Sequence, residues 1–311
     1  MNKIERVQAA LRGEKVDRIP ASFWFHFPPD QVAGKAMAEA HLAYYRYVDL
    51  DFLKVMSDNG YPPTEGVTLS GPADWRQLRL PPLGAPHFQA QLDGLKRIAD
   101  AIGQEALIIT TIFNPFATGN RLCDRHVTEH MAQDAQAVSA GLGVIAEALA
   151  GFALACLEAG ANGIFFSAQG GETDRFAREV FERYLKPHDL TILKAVAGRA
   201  EFNLLHICGY NLRLDAYRDY PAHAVNWSPQ WNNLSLSEGW KLFDMALVGG
   251  LDQRGPMVAG TPEGIAAEVQ AAVAEVSTRR FMLGAGCTLP EDISWDSIRA
   301  AIQAARSLPV R

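Results

Sequence analysis

The sequence is short of several features that would each decide its class. Only four of its 311 residues are cysteine. Cys123, Cys156, Cys208 and Cys287 are scattered without the spacing of a disulfide framework, which suits a reducing compartment. Basic charge is not in excess: 29 lysines and arginines face 35 aspartates and glutamates, interspersed, for a formal net charge of −6. A phosphate-backbone binder needs a clustered basic face, so nucleic acid is not expected as a partner. The same balance argues against a polyanionic substrate unless a local arginine cluster overrides it. There is no P-loop, G-x-S-x-G or H-E-x-x-H, and "GAGC" lacks the third glycine and the context of a dinucleotide fingerprint. The opening "MNKIERVQAALRGEKVDR" has no apolar core before a cleavage site, so no signal peptide is expected. The longest apolar segment, "GVIAEALAGFALACLEAGA", reaches spanning length only by counting alanine and glycine, and glutamates interrupt it. It reads as a core-facing helix of a cytoplasmic protein that engages no membrane. No Pro- or Ser-rich linker, low-complexity tract or short repeat divides the chain, and one domain over 1–311 is expected.

What is present is globular: 48% apolar and 21% charged residues. Short apolar or β-branched runs recur, namely "IPASFWF", "FLKVM", "LIITTI", "GIFF", "NLLHI", "HAVNW", "MALVGG" and "RFMLGA", with helical patterns between most of them. Alternating β and α elements imply parallel strands with crossover helices. Eight such units predict an α/β fold, a single (β/α)8 TIM barrel. The Pro- and Gly-rich connection from Asp58 to about Leu92 is too long for a turn and is expected to cap the C-terminal mouth. Active sites of such barrels lie at the C-terminal strand ends. His26, Asp58, Asn114, Gln169, His206, Cys208, Asn226 and Cys287 are expected there.

In a strand, residues i and i+2 share a face, so His206 and Cys208 of "NLLHICGYN" would both project toward the mouth. Cys287 follows the last run behind two glycines that permit close backbone approach. Imidazole and thiolate are preferred zinc ligands, and three protein ligands with an open fourth position is the catalytic pattern. Packing alone is the alternative, because free cysteine is often buried. Cys156, in an Ala/Leu-rich helix, is expected in the core, and Cys123 and His126 open a helix. His26 either lines the pocket or packs on its aromatic neighbours. Gln169, two residues beyond Ser167, faces inward as a candidate substrate contact, and Asp58 either caps the following turn or takes part in catalysis.

Together, "ERVQAALRGEKVDRIPASF", "LDFLKVMSDNGYP", "FNPFATG", "LEAGANGIFFSAQGG" and "LVGGLDQ" resemble the uroporphyrinogen decarboxylase superfamily over nearly the whole chain. Within it, "HIC" followed by "GAGC" is similar to the zinc-dependent, corrinoid-linked thiol methyltransferases of the methylcobamide:coenzyme M type. Cobalamin-independent methionine synthase is a more distant cousin. The resemblance implies Zn2+ on His206, Cys208 and Cys287, and methylcobalamin or another corrinoid, on a partner protein, as co-substrate. It also implies a small thiol as methyl acceptor or donor, and a homodimer. Asp58 matches the decarboxylases' catalytic aspartate by position and, with Gln169, is the candidate catalytic set. His26, Asn114, Asn226 and Gln230 are candidate substrate contacts, with Gln230 also a candidate for the fourth zinc position. Two departures stand out. The decarboxylases' arginine-bearing segment here reads "SFWFHFPPDQVAGKAMAEA", with no arginine and one lysine, Lys35. The glutamate that some zinc methyltransferases supply is absent from "VNWSPQWNN". Uroporphyrinogen decarboxylation is thus the second expectation, and a non-catalytic binder of tetrapyrrole or corrinoid the third.

Overall fold

The computed structural model describes residues 1–60, 64 and 66–310. Seven strands form one parallel, curled sheet in sequential order. They are β1 (Phe52–Val55), β2 (Leu107–Phe113), β3 (Gly163–Ala168), β4 (Leu204–Ile207), β5 (Ala224–Asn226), β6 (Ala246–Leu251) and β7 (Phe281–Ala285). These segments are rich in β-branched and aromatic side chains and nearly all their residues are buried, the signature of parallel strands covered on both faces. Helices lie between consecutive strands throughout the sheet except between β4 and β5, where a 3-10 turn, Leu214–Tyr217, makes the connection.

The expected strand Ile19–Phe25 is not part of that sheet. It touches β7 through a single bridge, Ala21 to Leu283, where Leu283 N donates to Pro20 O and Ser22 N to Leu283 O. Toward β1 the ladder is broken by side chains. Asp51 N donates to Ala21 O, but Ala21 N donates to the Asp51 carboxylate at 3.0 Å, and the Ser22 hydroxyl takes Phe52 O at 2.9 Å. Pro20 has no N–H to add. The segment therefore lies against both the first and the last strand without forming a continuous ladder to either.

The connection after Asp58 is not one loop. It contains a 3-10 turn, Pro72–Gln77, whose Trp75 is fully buried, and from Pro86 it is already helix, Pro86–Ile102. The part of the expected cap at 61–63 and 65 lies outside the described residues. Among the described residues, Val127–Glu158 is the one helix long and apolar enough to cross a membrane. It is two helical pieces joined at Asp134, whose carboxylate accepts from Ala137 N and starts the second piece. Val138, Leu142, Ile145, Leu149 and Cys156 of that piece belong to the hydrophobic core, as the apolar periodicity requires.

Candidate metal centre and its cavity

His206 lies in β4, paired with Ser167 of β3 and Asn226 of β5. Cys208 N donates to Ala168 O, which carries the β3 pairing one step past the strand. Gly209 then takes a φ of +133°, a conformation glycine adopts without strain, and turns the chain away. At β7 the equivalent step is Gly286 N to Leu251 O. A Cβ on Gly286 would stand 2.7 Å from Cα of Ser228, so only glycine lets the backbone come close enough to present Cys287.

The three side chains expected to hold metal converge. Their ligand atoms all lie within 4.8 Å of one another, and Cys287 Sγ is 3.6 Å from His206 Nε2. Bonds of roughly 2.0–2.3 Å to a tetrahedral zinc require ligand separations of roughly 3.3–3.8 Å. The cysteines are free thiols, both half-buried. One proton shared between two sulfurs, with an imidazole beside them, pushes Cys287 down to about 3 and Cys208 well above its ordinary value. The pair thus already favours a thiolate.

Asn226 settles which nitrogen of His206 faces the sulfurs. Its Nδ2 donates to two carbonyls, Val248 O at 2.7 Å and Ala285 O at 3.0 Å, which fixes the orientation of the amide. Its Oδ1 therefore faces His206 Nδ1 at 2.5 Å and accepts a proton from it. The imidazole carries its hydrogen on Nδ1 and presents a lone pair at Nε2, as a metal-ligating histidine does. Donor chemistry, spacing and tautomer all fit zinc. Asn226 is accordingly fully buried behind His206 and is not a substrate contact.

The cluster opens into a cavity of about 670 Å³ lined also by His26, Lys54, Ser167, Gln169 and Arg121, with Trp231, Arg254, Glu291 and Asp292 toward solvent. His26 is there as expected, its Nδ1 2.7 Å from Asp58 Oδ1, while Phe27 N reaches Asp58 Oδ2 at 3.4 Å. Burial opposes the Asp58 charge, but the hydrogen bond and charge of His26 outweigh it and hold the carboxyl below its usual range. Among the described residues, no backbone amide that follows Asp58 donates to it. Gln169 lines the cavity half-buried, as expected.

Two expected contacts lie elsewhere. Asn114 is fully buried; its Oδ1 caps the helix Pro115–Leu122 at Ala117 N, and its Nδ2 donates to Gln169 O and Asp189. Gln230 is exposed, does not line the cavity, and its carbonyl is 3.4 Å from the Ser228 hydroxyl, so it is not placed to be a fourth ligand. Cys156 is buried as expected and burial pushes its thiol above the ordinary range. Cys123 is also buried, its thiol pushed up to about 11 by burial, and with His126 it lies on a separate surface cleft.

The reading of the sequence missed Lys54 and Arg121. Lys54 is 4% exposed on β1, with its ammonium 4.4 Å from the centre of the Phe165 ring, and Phe165 in turn stacks on His206 at 5.2 Å. Burial pushes Lys54 down to about 7. Arg121 lies over Phe113 at 4.0 Å. A lysine inside the apolar run "FLKVM" is the one signal that could have drawn notice.

Comparison with curated protein sequences gives no match. Among solved structures, the chain is similar to a methyltransferase from Methanosarcina mazei, at 19% identity and a TM-score of 0.78, with 98% of each chain covered. It is also similar to a B12-independent methionine synthase from a Shewanella species, in complex with selenomethionine, at 12% identity and a TM-score of 0.60, covering 93% of this chain and 96% of that one. Identities this low establish a shared fold. The family model for uroporphyrinogen decarboxylase matches residues 32–308, the whole sheet and nearly all its helices, and this chain belongs to the uroporphyrinogen decarboxylase (URO-D) family.

Proposed function

We propose that the protein is a zinc-dependent methyltransferase that moves a methyl group between a corrinoid, carried by a partner protein, and a small thiol. The observation that carries this reading is the convergence of Cys208, Cys287 and a His206 whose tautomer Asn226 dictates. We also propose that Ile19–Phe25 acts as the eighth stave of a barrel, since it hydrogen-bonds on both sides. The likeness in fold to a methyltransferase and to a methionine synthase supports the same chemistry.

Two thiolates and a neutral imidazole would hold the ion. When bound, zinc supplies a positive charge that keeps a substrate thiol ionised near neutral pH. The His26–Asp58 pair handles the proton. Asp58 accepts from Nδ1, and among the described residues Nε2 has no hydrogen-bond partner, so it faces the cavity free to exchange a proton with a ligand. Phe113, Phe165 and Leu289 supply apolar wall that limits water and fixes the line of approach, since a misplaced methyl donor forfeits the proximity advantage.

Decarboxylation of uroporphyrinogen fits less well. An octacarboxylate needs a dense cationic clamp. The cavity offers Lys54, Arg121 and Arg254 against Glu291 and Asp292. The test is thiol-dependent demethylation of methylcobalamin by purified protein, followed by its change in absorbance, before and after chelation and zinc restoration. Demethylation should require zinc. Robust formation of coproporphyrinogen, with no thiol-dependent demethylation, would replace this reading with decarboxylation.

A further inference from the structure

The cavity holds two cationic side chains that the metal centre does not explain. Lys54 is buried, and among the described residues its only hydrogen-bond partner is the thioether sulfur of Met56, at 2.6 Å, a weak acceptor. Among the described residues, no carboxylate lies within ion-pair distance of it. A buried ammonium without a counter-ion costs several kcal/mol, of order the penalty that ordinarily drives such a group to neutrality. Arg121, exposed at the cavity mouth, rests on Phe113, and among the described residues it makes no hydrogen bond or ion pair. Among the described residues, the other buried cations are answered: Arg6 reaches Asp17 and Asp51, and Arg213 donates to the carbonyls of Gly171 and Glu172.

The acids nearby are already committed or lie toward the rim. Asp58 is engaged by His26 and Phe27 N, and Glu291 and Asp292 line the outer part of the cavity. At longer range Lys54 feels the charge of Asp58 first and that of the cysteine pair after it. A divalent ion on that pair would cancel the second. Lys54 also sits close to the centre: its ammonium is no farther from the His206 ring than the Lys54–Phe165 and Phe165–His206 spacings together. Among the described residues, no carboxylate makes an ion pair with either cation, and Asp58, the acid that both feel, is bound to His26.

We propose that Lys54 and Arg121 form a two-point receptor for a carboxylate, so that the small thiol of this enzyme carries a carboxylate a few atoms from its sulfur. This rests on the proposed function for the thiol and on the two cations for the acid. The sulfur reaches the Cys208–Cys287 side while the carboxylate takes the ammonium and the planar guanidinium, which suits two carboxylate oxygens. The anion would also restore the charge balance that Lys54 lacks.

Calorimetric titration of the purified protein with 3-mercaptopropionate, 1-propanethiol and propionate separates the parts. Hydrogen bonds to charged groups contribute about 1.5–3 kcal/mol, so 3-mercaptopropionate should bind about 10- to 150-fold more tightly than 1-propanethiol. Lys54→Met and Arg121→Met should each erase that preference and leave the affinity for 1-propanethiol unchanged, with thermal melts verifying the fold. Removing the unpaired buried charge of Lys54, or the exposed guanidinium of Arg121, is not expected to prevent folding. Equal binding of the two thiols to the wild-type protein, or variants that keep the preference, would overturn the receptor and leave the thiol reading standing. Propionate binding that Lys54→Met abolishes, with no response to 1-propanethiol, would support the receptor and remove the thiol. Silence from all three ligands would remove both.

Discussion

Asp51 and Lys54 stand three residues apart on the same stretch of chain, and their surroundings are opposite. Asp51, just before β1 at the closed end of the sheet, is fully buried and fully matched. Its carboxylate takes Arg6 and Arg18 at 2.9 Å each and the Ala21 amide at 3.0 Å, with Arg306 at 3.8 Å. Lys54, facing the mouth, is 4% exposed and touches aromatic rings and a thioether, with Asp58 and the cysteine pair felt only at longer range. A charge that only holds the fold is answered by the fold. One left unanswered beside two thiols and an imidazole is better explained by a ligand. Asp189 shows the third outcome, a buried acid with neutral partners, Tyr220 at 2.9 Å and Asn114 at 3.1 Å; burial pushes it up to about 7.

The comparison predicts that substitutions at the mouth cost function while those at the closed end cost stability. The largest effect is expected at the sulfurs. Cys208→Ser should lose zinc and thiol-dependent demethylation together, because a serine hydroxyl stays protonated where a thiol ionises on the metal. Cys156→Ser should keep both, with only the cost of a buried hydroxyl. Metal analysis and methylcobalamin assays across the two variants decide it; retained zinc in Cys208→Ser with loss in Cys156→Ser would move the centre away from the mouth.

Next in size is the closed end. Asp51→Ala takes from buried Arg6 one of its two carboxylates and leaves half-buried Arg18 without its ion pair, and should cost about 3–5 kcal/mol in denaturant unfolding, with zinc content unchanged. Lys54→Met should be neutral or stabilising by the same reasoning. If Lys54→Met were as destabilising as Asp51→Ala, the contrast between the two charges would disappear.

A smaller effect is expected behind the metal. Asn226→Ala frees the His206 ring and its tautomer and should weaken zinc by about 10- to 100-fold in competition with a chelator. An unchanged affinity would show that the ring is held by stacking on Phe165 alone.

The smallest effect is a slope. With Asp189 raised in the folded protein to about 7 from an ordinary 3.8, the folded state holds the proton more tightly than the unfolded chain. Its contribution to stability is complete below about pH 4 and is lost as pH rises through about 7. Asp189→Asn, which mimics the protonated acid, should flatten the fall in unfolding free energy between pH 5 and pH 8. A slope unchanged by the substitution would assign it to other groups.

The metal cluster was legible in the sequence because it depends on local rules. Strand alternation puts His206 and Cys208 on one face, and the strand-end position of Cys287 follows from the same pattern. Depth was not legible. Asn114 and Asn226 were placed correctly at strand ends, yet both are buried and spent on neighbours that no periodicity reveals. Gln230 is a candidate only through the family resemblance of its stretch, and the helix Pro229–Asn232 leaves it exposed. Ile19–Phe25 carries the composition of a strand and lies between β1 and β7, but the carboxylate of Asp51 and the hydroxyl of Ser22 take the ladder positions on one side. Lys54 was invisible because a lone lysine in an apolar strand has no motif; its meaning lies in the partners it lacks.

The most direct test of the central claim is elemental analysis of wild-type protein purified without chelator, joined to X-ray absorption at the zinc edge. About one zinc per chain is expected, with two sulfur neighbours at roughly 2.3 Å and a nitrogen at roughly 2.0 Å. A protein free of zinc, or one whose zinc has no sulfur neighbours, would contradict it.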